Sequence, residues 1–278
     1  MVQAPDTAIV LRVGMGDVQM NADEKVLKVR GGELFMRRAG KGPTVLFLHG
    51  AGGVPGWLPF FDKLSDRFDL LVPDHPSFGS SPAPDWLDDM GDLAYFYLDL
   101  FEELGLKDIH IVGHSMGGWL SQEIAIRSQA RVKSITLMSS VGIPVKNDPV
   151  ADLFMMAPEQ LLRALYADPD IIARELVRTP APHEIQRMVV NRRASARLAW
   201  SPRFVNLKLS KWLHRITVPV QLVWGAEDKI VSAAHAAETK RFIPHASVTL
   251  FPGVGHIPFA EKLDETVTVV ADFVTRNA

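Results

Sequence analysis

The sequence predicts an α/β fold with a doubly wound, mostly parallel sheet and an inserted helical segment. From Lys25 onward, short apolar runs typical of buried strands alternate with amphipathic stretches of helical periodicity. Such alternation predicts parallel strands joined by crossover helices. The alternation stops after Ser140 for about seventy residues, judged by hydrophobic period, and then resumes, which predicts an insertion within one domain.

Length and composition are those of one large domain or of one domain with an insertion. The chain has 278 residues, of which 47% are hydrophobic and 22% are charged, and its formal net charge is -2. This near-neutral balance predicts no nucleic-acid partner. The sequence has no cysteine, which excludes disulfides, thiolate nucleophiles and thiolate metal ligands.

The N-terminal residues do not have the pattern of a secretory signal, because Asp6, Arg12 and Asp17 interrupt any apolar stretch. No run in the chain approaches the roughly 18 apolar residues that a transmembrane helix requires. We therefore expect a cytoplasmic protein. Residues 1–24 show weak hydrophobic patterning and are expected to form an N-terminal arm.

The first half of the predicted domain begins with a hairpin. Residues 26–29 and 34–36 flank a Gly-Gly pair, as in a turn between antiparallel strands. Apolar runs at 44–48 and 68–72 predict the next two strands, with a helix within 56–66 between them. Apolar residues at helical spacing then predict a long helix, and they are Leu93, Phe96, Leu100, Phe101 and Leu104.

The second half contains a strand, turn and helix at 109–126, a strand at 132–138, and the insertion at 142–214. The insertion is helical in composition but is interrupted by prolines, which predicts several short helices. These prolines are Pro149, Pro158, Pro169, Pro180, Pro182 and Pro202. The pattern then resumes with strands at 218–224 and 247–251 and helices at 232–242 and 263–274. The predicted domains are a core of 25–141 and 215–278, with 142–214 inserted as a helical segment.

The stretch Gly113-His114-Ser115-Met116-Gly117 joins its strand to its helix and carries a candidate nucleophile. A serine at the apex of so tight a turn has strained dihedral angles, and large neighbours would collide with the adjacent backbone. Met116 opens the helix, so its backbone N–H has no intrahelical acceptor and points where an oxyanion would be stabilised. We therefore expect Met116 N–H to be one donor of an oxyanion hole beside Ser115.

These residues resemble the G-x-S-x-G nucleophile elbow of the α/β-hydrolase family. The resemblance extends over nearly all of the chain from Lys25 onward. It implies an α/β-hydrolase fold whose cap is inserted after the sixth strand, which matches the position of residues 142–214. It also implies a triad whose members follow in the order Ser, then Asp or Glu, then His.

Two loops after the insertion look like the acid and histidine loops of this family. The strand that follows the insertion ends before Asp228, and the last strand ends before His256. Both lie at the sheet edge where ligands bind in open α/β sheets. We take His256 as the base that activates the serine and Asp228 as the carboxylate that orients the base. The alternatives for the carboxylate are Glu227, which directly precedes Asp228, and Asp148, since some family members carry the acid after the sixth strand.

The resemblance also implies a second oxyanion donor. His49-Gly50-Ala51-Gly52 matches the family's H-G-x motif, which assigns this role to Ala51 N–H beside Met116 N–H. His49 and His114 are expected to support their loops rather than to react. A serine triad requires no metal and no organic cofactor, and the other histidines lack the spacing of metal ligands.

The later part of the predicted cap is strongly cationic. Between His183 and Arg215 it carries eight Lys or Arg residues and one acid, Glu184. A solvated helix face is the simpler interpretation, and the alternative is one arginine that pairs with a substrate carboxylate. The eight cations are Arg187, Arg192, Arg193, Arg197, Arg203, Lys208, Lys211 and Arg215.

Together these features predict a serine hydrolase that cleaves a carboxylic ester bond of a small molecule, either neutral or carboxylate-bearing, through an acyl-enzyme. One alternative is a carbon–carbon bond hydrolase of the meta-cleavage-product type. The chain departs from that subgroup, which commonly has asparagine at His114 and tryptophan at Ile257. A further alternative is a ligand-binding receptor that keeps the triad with little turnover. Epoxide hydrolases and haloalkane dehalogenases carry aspartate at the elbow, so Ser115 argues against both.

Overall fold

The computed structural model describes residues 22–278. Eight strands form one sheet, and they are β1 (Asp23–Val29), β2 (Gly32–Ala39), β3 (Thr44–Leu48), β4 (Asp69–Pro73), β5 (Ile109–His114), β6 (Val132–Met138), β7 (Val220–Gly225) and β8 (Ser247–Phe251). Their spatial order is β1-β2-β4-β3-β5-β6-β7-β8. The β1–β2 and β2–β4 pairs are antiparallel, and all other neighbouring pairs are parallel. The sheet is therefore mostly parallel, as the sequence predicts.

The first strand begins earlier than the sequence predicts. Asp23 and Glu24 belong to β1 and pair with β2, so the arm predicted for residues 1–24 is too long by these two residues. Both are exposed on an edge strand, where charged side chains leave no hydrophobic alternation to read. Residues 1–21 of that arm lie outside the described residues.

Helices cover both faces of the sheet. They are α1 (Pro59–Ser65), α2 (Met90–Glu103), α3 (Met116–Arg127), α4 (Pro158–Leu165), α5 (Pro169–Val177), α6 (Pro182–Ala199), α7 (Ala233–Phe242), α8 (Pro258–Glu261) and α9 (Leu263–Arg276). Alternate residues of β3 enter different cores, with Leu46 and Leu48 on one face and Val45 and Phe47 on the other. Apolar residues of α2 and α3 fill the first core, and those of α1 and α9 fill the second. The sheet is thus doubly wound.

The connection between β6 and β7 contains α4, α5 and α6. Each of these helices begins with a proline, at Pro158, Pro169 and Pro182, because a fixed φ and a missing N–H suit the first turn. The sequence predicts only short helices here, whereas α6 has 18 residues, since no proline interrupts it before Pro202. No helix within residues 22–278 is both long enough and apolar enough to cross a membrane.

Candidate active site

Ser115 stands at a sharp turn between β5 and α3. Its backbone angles are φ 53° and ψ -114°, a conformation that is rare for a residue with a side chain. The flanking glycines permit the turn, because a Cβ at Gly113 would overlap the Ser121 hydroxyl and one at Gly117 would overlap the Leu48 carbonyl oxygen. The turn presents Ser115 at the carboxyl end of β5, as the strand–turn–helix pattern predicts.

A continuous chain of hydrogen bonds joins Ser115, His256 and Asp228. The distance from Ser115 Oγ to His256 Nε2 is 3.0 Å, and the distance from His256 Nδ1 to Asp228 Oδ2 is 2.9 Å. Because an ionised carboxylate can only accept, Nδ1–H donates to Asp228, and Nε2 of the neutral ring accepts the Ser115 hydroxyl proton. All three side chains are buried, and they come from the loops after β5, β7 and β8. The arrangement can withdraw a proton from a serine hydroxyl.

Asp228 is held by the backbone of its own loop. Its Oδ1 accepts the N–H groups of Ile230 and Val231, both at 2.9 Å. Burial alone would raise the pKa of Asp228, but the nearby His256 and these hydrogen bonds outweigh burial and lower it from its ordinary value. The carboxylate is therefore ionised at neutral pH and is oriented toward the imidazole.

The other two candidate carboxylates lie elsewhere. Glu227 Oε2 accepts the N–H of Val254 at 3.0 Å, so it binds the backbone of the loop that carries His256. Asp148 Oδ2 accepts the hydroxyl of Ser232, the residue that caps α7. Of the three carboxylates considered from the sequence, the structure brings Asp228 to His256.

Ala51 and Met116 carry backbone N–H groups beside Ser115. Met116 is the first residue of α3 and directly follows the serine. Gly50, the residue before Ala51, lies against the serine, since a Cβ added to it would be 3.1 Å from Ser115 Cβ. Within residues 22–278 neither the Ala51 nor the Met116 amide donates a hydrogen bond to a protein acceptor. Both amides can therefore donate to a bound oxygen atom.

His114 and His49 brace the loops of the site as neutral imidazoles. His114 Nε2–H donates to the backbone oxygen of His256 at 3.0 Å, and burial lowers the pKa of His114 to about 3. His49 Nδ1–H donates to the oxygen of Gly50 at 2.8 Å, and its Nε2 accepts from the backbone N–H of His75 at 2.9 Å. Burial lowers the pKa of His49 to about 4. Each imidazole thus stabilises, through hydrogen bonds to its backbone, a loop that flanks the serine.

The β6–β7 connection contacts these loops through side chains that the sequence analysis did not single out. Ser195 Oγ donates to the oxygen of Ala51 at 2.9 Å, and Asn191 Nδ2 donates to the oxygen of Gly52 at 2.7 Å. In the opposite direction, Glu261 of α8 reaches the connection. It accepts hydrogen bonds from backbone N–H groups of both the histidine loop and the turn after α4. No motif marks these residues. The one available signal is the four-residue spacing of Asn191 and Ser195, which puts both on one helix face.

The cationic side chains of this connection are engaged away from the serine. Four arginines bind carbonyl or carboxylate oxygens, namely Arg187 on Val54 and Pro55, Arg192 on Phe154, Arg197 on Asp88, and Arg203 on Asp152. The other four cations are exposed, and they are Arg193, Lys208, Lys211 and Arg215. None of the eight donates to Ser115, His256 or Asp228. The part of the chain that the structure describes also contains no cluster of three or more His, Asp or Glu residues suited to a metal ion.

A mostly parallel sheet with a serine elbow after its fifth strand, an acid after its seventh and a histidine after its eighth defines a class of hydrolases. The model of the alpha/beta hydrolase fold family matches residues 43–263, which is most of the chain. This chain belongs to the alpha/beta hydrolase fold family and is a hydrolase.

Two relatives and one solved structure illustrate the range of this family. A dihydrolipoyllysine-residue acetyltransferase component of the acetoin cleaving system from Cupriavidus necator is 28% identical over 252 residues, which cover 88% of this chain and 66% of that protein. Lipase 1 of Psychrobacter immobilis is 28% identical over 253 residues, covering 81% of this chain and 74% of the lipase. A 2-hydroxy-6-oxo-6-phenylhexa-2,4-dienoate hydrolase from a Rhodococcus species has a TM-score of 0.73 and 23% identity, covering 91% of this chain and 98% of that one. This last likeness shows the fold alone.

Proposed function

We propose that the protein is a serine hydrolase that cleaves carboxylic ester bonds of small molecules through an acyl-enzyme. The observation that carries the proposal is the hydrogen-bond chain from Ser115 Oγ through His256 to Asp228, with distances of 3.0 and 2.9 Å. A serine hydroxyl is a weak nucleophile at neutral pH, and this arrangement removes its proton as it attacks. The similarity to a lipase agrees with an ester substrate.

In the first half of the reaction, Ser115 Oγ attacks the carbonyl carbon of the ester while His256 Nε2 takes the hydroxyl proton. The imidazolium so formed is stabilised by ionised Asp228. The same proton then passes from Nε2 to the leaving alcohol, which leaves an acyl group on Ser115. In the second half, His256 Nε2 takes a proton from water as the water oxygen attacks the acyl carbon. The imidazolium then returns that proton to Ser115 Oγ, which releases the carboxylic acid and restores the serine hydroxyl.

The negative charge that develops on the carbonyl oxygen in each half requires donors that are already in place. We assign this role to the backbone N–H groups of Ala51 and Met116, neither of which donates to a protein acceptor within residues 22–278. Loss of one such donor costs about 3 kcal/mol of transition-state stabilisation. Because both groups belong to the backbone, Met116→Ala would not remove its donor, and Ala51 is already alanine.

We infer that residues 142–214 form the cap over this site and help to shape its substrate pocket. Leu165, the last residue of α4, accepts the backbone N–H of His256 at 2.8 Å. Phe154 stacks on Phe204 with 5.2 Å between ring centroids, so the connection carries an aromatic cluster. Since its cations bind other groups or lie in solvent, a neutral ester is the preferred substrate over a carboxylate-bearing one.

Carbon–carbon bond hydrolysis is the second candidate, because the same triad serves it and the β6–β7 connection is cationic. The engaged arginines weigh against it, since a dienoate acid needs a free cation in the pocket. His114 is also committed to the backbone of His256 at the position where that subgroup commonly has asparagine.

A substrate panel tests the proposal. It contains p-nitrophenyl esters of increasing acyl length, a size-matched ester with a terminal carboxylate, and a 2-hydroxy-6-oxo-dienoate. Steady turnover of the neutral esters by the wild-type protein, lost in Ser115→Ala, is expected. Higher kcat/KM for the dienoate than for any ester would favour the second candidate. A single stoichiometric release of p-nitrophenol without turnover would favour a receptor.

A further inference from the structure

Helix α6 presents a polar stripe to the loop that carries Ala51. The stripe consists of Arg187, Asn191 and Ser195, which are four residues apart and therefore lie on one helix face. This loop, the 50–55 loop, spans residues 50–55 between β3 and α1. Asn191 and Ser195 are each only 2% exposed, so water does not compete for their hydrogen bonds.

Every member of the stripe donates to a backbone oxygen of the 50–55 loop. Ser195 Oγ donates to Ala51 at 2.9 Å, and Asn191 Nδ2 donates to Gly52 at 2.7 Å. Arg187 Nη1 donates to Val54 at 3.0 Å and to Pro55 at 2.9 Å. The stripe thus binds the loop along most of its length.

The 50–55 loop has little means of fixing its own conformation. Three of its first four residues are glycines, which populate many backbone conformations. Gly52 has nothing within 4 Å of the position where a Cβ would lie. Gly53 has φ 72°, and a Cβ there would overlap the Asn191 amide, so the loop lies directly on that side chain. Apart from hydrogen bonds to the Gly50 oxygen from Gly53 N–H and His49 Nδ1–H, its conformation therefore depends on contacts with α6.

Two peptide planes connect Asn191 to the proposed oxyanion donor. The Gly52 oxygen that Asn191 binds shares a planar peptide unit with Gly53 N–H. Gly53 N–H in turn donates to the oxygen of Gly50 at 3.0 Å. That oxygen shares its peptide plane with Ala51 N–H. His49 Nδ1–H holds the same oxygen at 2.8 Å, so a rotation of the first plane disturbs one of the two hydrogen bonds that orient the second plane and Ala51 N–H.

The Asn191 side chain is itself held from the opposite side. Its Oδ1 accepts the backbone N–H of Gly79 at 2.9 Å, which fixes the orientation of the amide and aims Nδ2 at Gly52. On the far side of the loop, Gly50 lies against Ser115, with 3.1 Å from an added Cβ to Ser115 Cβ. The 50–55 loop is thus enclosed between the serine and α6.

We propose that Asn191, supported by Ser195, is a positioning residue that orients the Ala51 N–H of the oxyanion hole through the Gly52 and Gly50 peptide planes. This inference rests on the proposed function, because it matters only if an oxyanion forms at Ser115. This role of Asn191 would make the β6–β7 connection part of the catalytic machinery as well as a cover for the substrate.

Kinetics of four variants on one p-nitrophenyl ester test the proposal. Asn191→Ala removes both amide bonds. Asn191→Asp is nearly isosteric and keeps the acceptor for Gly79 N–H while losing the donor to Gly52. Ser195→Ala deletes one hydroxyl, and Gln186→Ala removes an exposed amide from the same helix as a matched control. Each protein is also titrated with a trifluoromethyl ketone of the same acyl chain, which forms an oxyanion adduct on the serine.

Both Asn191 variants are expected to lose about 10- to 100-fold in kcat with KM within twofold, because a misplaced donor weakens only the transition state. The ketone inhibition constant should rise by the same factor in each, Ser195→Ala should lose less, and Gln186→Ala should match the wild type. Wild-type kcat in Asn191→Asp, or a lower kcat with unchanged ketone affinity, would overturn the inference while leaving the proposed function standing. If the wild type neither hydrolyses the ester nor binds the ketone, the proposed function itself fails and the inference with it.

Discussion

Asp228 and His256 meet across two loops through a single carboxylate oxygen. Asp228 Oδ2 lies 2.9 Å from His256 Nδ1, while Oδ1 is engaged by two backbone N–H groups of its own loop. Each oxygen thus has a separate task, because one anchors the side chain and the other selects the histidine tautomer. This division makes the pair sensitive to the chemistry of the group at position 228 as well as to its size.

Asp228→Asn should lower kcat about 10³- to 10⁴-fold with little change in KM or fold. The amide nitrogen can donate to His256 Nδ1, which favours the tautomer that cannot accept the Ser115 proton. Steady-state kinetics with a p-nitrophenyl ester measure the loss, and circular dichroism checks the fold. Asp148→Asn removes the alternative carboxylate, which follows the sixth strand; this variant is the matched control and should stay within threefold of the wild type. Equal losses in both variants would argue against Asp228 as the orienting acid.

Gly117→Ala should lower the melting temperature by about 10 °C or more, or prevent folding altogether. The added methyl would overlap the carbonyl oxygen of Leu48 on the neighbouring strand, and backbone cannot move aside as a flexible side chain can. Gly56→Ala is the comparison, since nothing lies within 4 Å of its Cβ position. Thermal unfolding of the two variants side by side measures the difference. A Gly117→Ala protein as stable as Gly56→Ala would contradict the described elbow.

The stability of the protein should fall as the pH drops below about 6.5, the ordinary pKa of an unfolded histidine. Burial lowers the pKa of His114 to about 3 and that of His49 to about 4. Between these values and 6.5 the unfolded chain binds more protons than the folded one, so acid favours unfolding. The full contribution is present above pH 6.5 and is lost as the pH falls toward 3.

Urea unfolding at several pH values between 7 and 5 checks this expectation. Each such histidine adds up to about 1.4 kcal/mol per pH unit to the slope of the unfolding free energy against pH. His114→Asn should therefore flatten the curve by about that amount, whereas His183→Asn, at an exposed position, should leave the slope unchanged. An unchanged slope in His114→Asn would show that this imidazole is not held neutral by the fold.

The sheet and the elbow could be predicted because their determinants are local. The apolar run of β3 shows its burial directly, and the glycines around Ser115 follow from the steric demands of one turn. The early start of β1 could not be read, since Asp23 pairs through its backbone while its side chain is exposed. The backbone makes that pairing without leaving a hydrophobic signal in the sequence.

The contacts of α6 could not be predicted, because they depend on how the β6–β7 connection packs on distant loops. Asn191 and Arg187 bind backbone oxygens more than a hundred positions away along the chain, and a backbone oxygen has no residue type to recognise. For the same reason, the sequence does not reveal which groups the cationic side chains of residues 183–215 bind or where these side chains point. Arg203, for example, pairs with Asp152 within the same connection.

Trapping of the acyl-enzyme tests the central claim most directly. Wild-type protein is mixed with a p-nitrophenyl ester, quenched with acid within the first turnover, digested and examined by mass spectrometry. The peptide that contains Ser115 should carry the mass of one acyl group, formed at the rate of the p-nitrophenol burst, and no adduct should form in Ser115→Ala. Steady ester turnover with no acylated peptide, or with turnover undiminished in Ser115→Ala, would contradict the account.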